Sequence, residues 1–314
     1  MSENSITRIA IIGTGVIGAS WAAYYLARGL DVVATDPAPG AEANLRRFID
    51  QAWSALVAQG LSPGASVDRL KFTPDLKRAV SEAQLIQENG PERPDFKVKL
   101  FADIDAASLP DAIIASSSSG ITVSVMQSGC KRPERVVLGH PFNPPHLMPL
   151  VEVVGGTKTS PETVERTIAF YRSIGKKPIR LNKEMPGHVA NRLQAALYRE
   201  ILYLIEQKVL DVSDADDAVS WGPGLRWGVM GPSLLFHLGG GAGGIKHFME
   251  HLMPAMQAWW HSLGTPSITP EFTSSVIDGV AKETGGNSVE QLEKTRDDML
   301  LELLAIRRNA EGAR

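Results

Sequence analysis

Four short stretches of the chain hold side chains that could do chemistry. In "ASSSSG" the serines Ser116, Ser117, Ser118 and Ser119 follow an apolar run. In "GHPFNPP" His140 and Asn143 follow another, and in "LVEVVGG" one carboxylate, Glu152, sits inside an apolar strand-like run. "PGHVANR" opens a helical segment that carries Asn191. Histidine, with an ordinary pKa of about 6.5, is suited to taking a proton near neutral pH. A carboxylate within an apolar strand needs a partner. Serine hydroxyls and asparagine amides can donate to an oxygen that gains negative charge. Each feature also has a plain structural reading: a serine run as a loop, a lone histidine as packing, a strand glutamate as a solvated side chain.

A fifth stretch says what could bind beside them. "RIAIIGTGVIGASWA" runs from a strand into Gly13, Gly15 and Gly18, spaced G-x-G-x-x-G, and on into a helix. The first glycine permits the turn, the second lets a pyrophosphate approach the backbone, and the third lets helix pack on strand. The helix N-terminus offers unpaired N–H groups to phosphate. "DVVATD" then ends in Asp36, eighteen residues after Gly18. A carboxylate there accepts from ribose hydroxyls and repels a 2′-phosphate, which favours NAD over NADP.

These residues need a scaffold, and the first half of the chain supplies one. "RIAIIGTG", "DVVATD", "RLKFTPD", "LIQEN", "AIIASSSS", "RVVLGHPFNP", "LVEVVGG" and "KPIRLN" read as strands. Helical patterns alternate with them over residues 16–29 and 41–59, in "LKRAVSEA" and "PDFKVKLFADIDA", and in "SPETVERTIAFYRSIG", with Ser160 as N-cap and Pro161 at its first position. Such alternation predicts a Rossmann-type, doubly wound parallel α/β sheet. From Pro186 onward strand signals stop. "VANRLQAALYREILYLIEQKV", "SDADDAVSW", "GGIKHFMEHLMPAMQAWWHSL" and "VEQLEKTRDDMLLELLAIRRNA" read as helices, with Ser213 and Asp216 forming a capping-box-like start. The pattern therefore predicts two domains: residues 1–185, binding the dinucleotide, and residues 186–314, a smaller all-α domain rich in buried Leu, Met and Trp. Its apolar faces suit either an internal core or a dimer interface.

Composition narrows the class of protein. With 43% hydrophobic and 21% charged residues and a net charge of −3, the chain reads as globular, with neither nucleic acid nor a membrane expected as partner. No apolar run reaches membrane-spanning length, and "MSENSITR" lacks a signal-peptide pattern, so a cytoplasmic location is expected. Cys130 is the single cysteine and reads as a loop residue, although Lys131 and Arg132 beside it would suit a reactive thiol. His247 and His251 have a zinc-compatible i, i+4 spacing but no evident third ligand, so no metal site is expected.

Taken together, the glycine fingerprint, "HPFNP", "LVEVV" and the "PG–NR" helix start resemble the L-3-hydroxyacyl-CoA dehydrogenase superfamily over nearly the whole chain. The resemblance implies a catalytic pair at His140 and Glu152, with Ser119 and Asn191 near the substrate oxygen. It implies a cofactor set that adds Glu92 and Lys97, in "ERPDFKVK", and Asn143 to Gly13, Gly15, Gly18 and Asp36. The chemistry agrees: His140 would take the hydroxyl proton as hydride leaves carbon, and Glu152 would fix the imidazole tautomer.

The chain has Pro141 where the acyl-CoA enzymes typically read "HFFNP". "WGPGLRWGVMGP", "GGGAGGIKHFMEHL", "GLDVVATDPAPGAEANLR" and "LSPGASVDRLKF" resemble the L-carnitine dehydrogenase branch, and more distantly the L-gulonate 3-dehydrogenase (lambda-crystallin) branch. This implies NAD-dependent oxidation of a small 3-hydroxy acid, L-carnitine first. L-gulonate, 3-hydroxybutyrate or a 3-hydroxyacyl-CoA are the alternatives. A trimethylammonium group would seek aromatic faces, with Trp221, Trp227 and Phe236 as candidates among the second-domain aromatics, which include Tyr198, Trp259 and Trp260. Arg226 could pair with the substrate carboxylate. The family also implies a homodimer formed through the helical domain. A non-catalytic NAD-binding structural protein is the reading from another class, and the intact Ser119, His140, Glu152 and Asn191 set speaks against it.

Overall fold

The structure, a computed structural model, describes residues 6–312. Among them eight strands form one sheet: β1 (Arg8–Ile12), β2 (Asp31–Thr35), β3 (Leu70–Phe72), β4 (Leu85–Glu88), β5 (Ile113–Ser116), β6 (Val136–Pro141), β7 (Leu150–Gly155) and β8 (Lys177–Arg180). Their order is β3-β2-β1-β4-β5-β6-β7-β8. The order reverses at β1, and in open α/β sheets ligands bind beyond the carboxyl ends of the strands at such a reversal. The intervening helices are α1 (Val16–Ala27), α2 (Ala41–Gln59), α3 (Leu76–Val80), α4 (Pro94–Ala107), α5 (Val123–Met126) and α6 (Pro161–Ser173). Ser160 caps α6 by accepting from the Thr163 N–H at 3.1 Å.

β4, β5 and β6 are buried along their whole length, as expected of strands covered on both faces. Alternate strand residues feed two cores. Ile9, Ile11, Val32, Leu85, Ile113 and Val137 pack with α1, α2 and α6, while Ala10, Ile12, Ile86, Ile114, Val136 and Leu138 pack with α3, α4 and α5.

The sheet is not parallel throughout. β7 runs antiparallel to β6, with His140 opposite Glu152, and β8 is parallel to β7. Only residues 142–149 join β6 to β7. A parallel crossover needs about a dozen residues or more, so this connection turns the chain straight back. The reversal brings two polar residues, twelve apart in sequence, side by side on one face.

The chain divides into two compact units, Met1–Arg192 and Leu193–Arg314. The linker before residue 192 is held to the first unit. Glu184 Oε1 accepts from the Ser124 N–H at 2.9 Å, and the Val189 and Ala190 N–H groups donate to Glu152.

The second unit is helical, entered through α7 (Ala190–Glu206). It continues with α8 (Val212–Ser220), α9 (Pro223–Trp227), α10 (Pro232–Gly239), α11 (Gly244–His247), α12 (Met253–Trp260), α13 (Pro270–Glu283) and α14 (Val289–Gly312). Three expectations need correction here. The cap of α8 is Asp211, which accepts from the Asp214 N–H at 3.0 Å; Ser213 lies within the first turn and donates to Asp211. The stretch around residues 244–263 is broken by a π-turn, Phe248–Leu252, just ahead of Pro254, which has no N–H to continue the ladder. The apolar side chains are largely uncovered: Leu193 is 67% exposed, Trp221 76% and Met299 67%, whereas Val212, Ala215 and Phe248 are buried. The α13 helix, with Thr269 as cap and Pro270 first, is an addition.

Candidate active site

The turn after β1 is built for close approach. Gly13 has φ +82, and a β-carbon there would meet the Asn89 carbonyl oxygen at 2.9 Å. A β-carbon on Gly18 would lie 1.9 Å from the Gly13 carbonyl oxygen, so α1 packs on the turn only without one. Gly15, the N-cap of α1, has open space where its β-carbon would be, and no side chain caps the helix. The free N–H groups and the clear approach at Gly15 fit a pyrophosphate. Asp36 Oδ2 accepts from the Thr14 N–H at 2.8 Å, and its Oδ1 from the Ala38 N–H at 2.9 Å. A carboxylate has roughly four acceptor positions, and Asp36 keeps capacity for a ribose hydroxyl.

The geometry separates two glycine variants. Gly15→Ala should leave the melting temperature unchanged and weaken NAD binding about tenfold or more, because the methyl group occupies the pyrophosphate approach. Gly18→Ala should lower stability by about 1–3 kcal/mol, since its methyl meets backbone. Thermal unfolding and NAD titration of both proteins check this; equal losses of stability would contradict it.

Next to the turn lies a buried ionic cluster. Lys97 is 1% exposed and its Nζ is 2.8 Å from both oxygens of Glu88 and 3.2 Å from the Gly90 carbonyl oxygen. Its three N–H donors are thus taken by the protein. Ser116 donates to Glu88 Oε2 at 2.7 Å. Glu92 Oε1 accepts from the Ser118 hydroxyl and from the N–H groups of Gly120, at 2.8 Å, and Ile121, at 3.0 Å. Burial pushes the Glu92 carboxyl up, but these hydrogen bonds and Lys97 outweigh it and hold it below its ordinary value. Lys97 and Glu92 therefore brace the loops after β4 and β5. Of the four serines, Ser119 is the exposed one.

The reversal of β7 produces the central pair. His140 Nδ1 lies 2.8 Å from Glu152 Oε2, with His140 5% and Glu152 1% exposed. Glu152 Oε1 accepts from the Val189 and Ala190 N–H groups, both at 2.9 Å. One carboxylate thus holds the imidazole and the first turn of α7, which carries the half-buried Asn191. Burial raises the Glu152 carboxyl, but the bonds from His140, Ala190 and Val189 dominate and lower it. It is ionised at neutral pH, and it accepts from a protonated Nδ1. That tautomer leaves a lone pair on Nε2, ready to accept a proton.

Two groups of residues beyond those singled out from the sequence help to build this region. His188 Nε2 is 2.9 Å from the Ser118 carbonyl oxygen, and its ring centroid is 5.0 Å from that of His140. Gln87, fully buried, accepts from the hydroxyls of Tyr25 and Tyr171 and donates to Ser117 Oγ at 2.8 Å and the Gly139 carbonyl oxygen at 3.2 Å. Ser117 donates to Asn89, whose amide reaches the Ile12 carbonyl oxygen. This network ties the glycine turn, the serine loop and the strand before His140 together. Its signal in the sequence is the run "QEN" closing an apolar strand, where buried amides and carboxylates must all be satisfied.

The remaining candidates are dispersed. Asn143 is exposed on the β6–β7 connection. Trp221 ends α8, Arg226 and Trp227 lie on α9, and the Phe236 ring stacks on Phe248 at 4.5 Å, all within the second unit. The rings of His247 and His251 stack at 4.2 Å. Among the described residues no group of three or more His, Cys, Asp or Glu side chains is arranged to hold a metal ion. Burial, with Asp105 nearby, pushes the Cys130 thiol up to about 12, which keeps it protonated and unreactive. No helix among the described residues is long and apolar enough to cross a membrane.

Known proteins share this architecture and sequence. Residues 8–185 match the 3-hydroxyacyl-CoA dehydrogenase NAD-binding domain, and residues 187–264 match the C-terminal domain of the same family. An L-carnitine dehydrogenase of Bacillus cereus is 48% identical over 306 residues, covering 98% of this chain and 94% of the relative. One from Pseudomonas putida is 48% identical over 299 residues, covering 95% and 93%. The crystal structure of an NAD+-dependent dismutase, 5-formyl-3-hydroxy-2-methylpyridine 4-carboxylic acid 5-dehydrogenase, superposes with a TM-score of 0.82 at 36% identity. It covers 98% of this chain and 99% of that one. With its glycine turn, its reversed β7 and these relatives, the chain belongs to the 3-hydroxyacyl-CoA dehydrogenase family and is an NAD-dependent dehydrogenase.

Proposed function

We propose that this dehydrogenase oxidises the 3-hydroxyl of L-carnitine to 3-dehydrocarnitine. The observation that carries the reaction is the His140 Nδ1···Glu152 Oε2 hydrogen bond of 2.8 Å. The substrate rests on the 48% identity to L-carnitine dehydrogenases over nearly the full chain. NAD, held by Gly13, Gly15, Gly18 and Asp36, supplies the hydride acceptor when bound. His140 Nε2 accepts the proton of the 3-hydroxyl, and Glu152 stabilises the imidazolium that results. Ser119 and Asn191 donate to the substrate oxygen as it becomes a carbonyl. Lys97, through Glu88 and Gly90, and Glu92, through Ser118, keep the cofactor and serine loops in place. Asn143 adds a side-chain amide on the cofactor side. In the helical unit the exposed Trp221 and Trp227 and the half-buried Phe236 offer aromatic faces for a trimethylammonium group, and Arg226 a partner for the carboxylate.

The test is NADH formation by the purified protein with L-carnitine, D-carnitine, L-3-hydroxybutyrate, L-gulonate and L-3-hydroxybutyryl-CoA. Turnover of L-carnitine alone is expected. Turnover of another substrate without L-carnitine would keep the His140–Glu152 chemistry and discard the carnitine assignment.

The exposed apolar residues of α7 to α14 support closure by a second copy of the chain. A unit that buries so little apolar surface by itself gains the missing burial from a partner. Light scattering is expected to give twice the 33.9 kDa chain mass; a monomer at micromolar concentration would refute this.

A further inference from the structure

His188 carries two local costs that folding alone does not explain. Its φ is +50, in the left-handed region that a β-carbon disfavours. Its side chain is buried, the residue being 2% exposed, and its Nδ1 has no hydrogen-bond partner among the described residues. A carbonyl oxygen can only accept, so the bond to Ser118 puts the proton on Nε2 and leaves Nδ1 as a bare lone pair. A position that only filled space would take an apolar side chain. One that only had to reach a positive φ would take glycine, as Gly187 before it does. Such outliers collect where function over-determines them.

The surroundings say which function. The Ser118 carbonyl belongs to the peptide that leads into Ser119. The His188 ring lies against His140, with centroids 5.0 Å apart and planes tilted by 53°. The two backbone N–H groups that follow His188 end on Glu152 Oε1, while Glu152 Oε2 holds His140. Burial lowers the affinity of the His188 ring for a second proton, and the nearby His140 acts in the same direction. The ring thus stays neutral beside a base that becomes charged.

We propose that His188 is a positioning residue for the oxidation: by donating to the Ser118 carbonyl while packing on the His140 ring, its imidazole sets the spacing between the Ser119 hydroxyl and His140 at which one substrate hydroxyl meets both. This rests on the assignment of His140 and Ser119 made above.

Glutamine and asparagine separate positioning from folding. A glutamine side-chain amide reaches about as far as Nε2 and can restore the donor to Ser118; an asparagine amide stops short. Asparagine, however, tolerates positive φ better. A purely structural role therefore predicts that His188→Asn is at least as active as His188→Gln. Positioning predicts the opposite order. In the full-length protein, kcat for His188→Asn should fall about 10- to 100-fold, with His188→Gln between it and wild type and NAD affinity unchanged in both; the asparagine variant also melts lower, because the buried Ser118 carbonyl loses its donor. Equal kcat values for the two variants, or a more active asparagine variant, would overturn the proposal. If either variant loses NAD binding, His188→Gly with added imidazole decides: recovered kcat supports positioning, and no recovery overturns it. His140→Ala is the control. Wild-type turnover by that protein would remove the base assignment itself, whereas an inactive His140→Ala beside a fully active His188→Asn would remove only this proposal.

Discussion

His140→Ala is expected to lower kcat by about 10²- to 10⁴-fold, the range of general base catalysis, while NAD binds as before. The two parts of that outcome come from different strands. The glycine turn is formed after β1 and braced by Asn89 and Asp36, and His140 takes no part in it. The base lies at the end of β6, bonded to Glu152. Because His140 is 5% exposed, alanine also leaves a cavity. His140→Asn is the companion variant, since its amide can still donate to Glu152 but cannot act as a base. Cofactor titration by NADH fluorescence and steady-state turnover, read side by side, check the expectation. Wild-type kcat in the asparagine variant would take proton transfer away from this residue.

Glu152→Gln is expected to cost about as much in kcat, up to about 10⁴-fold, through the tautomer of His140. The carboxylate accepts three hydrogen bonds: one from His140 on Oε2, and two from Val189 and Ala190 on Oε1. A glutamine has a single oxygen. Turned toward the α7 amides, it presents its NH2 to His140 Nδ1. The imidazole must then accept at Nδ1 and carry its proton on Nε2, which is the wrong form for a base. Turned the other way, its NH2 faces two N–H donors at the start of α7. Either orientation also lowers stability, by about 1–3 kcal/mol.

The same bonds make part of the stability pH-dependent. Despite burial, they hold the Glu152 carboxyl below its ordinary value. A group with a lowered folded-state pKa contributes stability that is fully present above its unfolded pKa, about 4.3 for a glutamate, and is lost as pH falls through the folded value. Denaturation of wild type and Glu152→Gln should therefore show the full stability gap at neutral pH and a shrinking gap below about pH 4.3. A gap that is constant down to the acid limit would mean that the carboxylate charge contributes nothing.

Much of the scaffold is local, and it could be read directly. The α2 bounds, the Ser160 cap and the glycine turn depend on neighbouring residues: periodicity, a hydroxyl three residues before an N–H, a positive φ. Elsewhere a short-range rule was overruled by packing. Asp211 displaced Ser213 as a cap because the buried Val212 begins the packed face of α8. The Leu, Met and Trp side chains of the helical unit are apolar whether or not this chain covers them, so composition could not say that most lie exposed. The order of "QEN" in an apolar strand promised a polar network, but not that its members would join Tyr25, Tyr171, Ser117 and Gly139.

The amino-acid sequence by itself determined the alternation of strands and helices, the glycine turn with Asp36, and the family. Each is written in contiguous residues or fixed spacings. Tertiary structure alone decided that β7 turns back on β6, that Glu152 also holds the start of α7, that Lys97 is spent on Glu88 and Gly90, and that His188 lies against His140. The reason is physical. Hydrogen bonds and ring contacts between residues tens of positions apart depend on strand direction and register, and these are set by how the whole sheet packs rather than by any one segment.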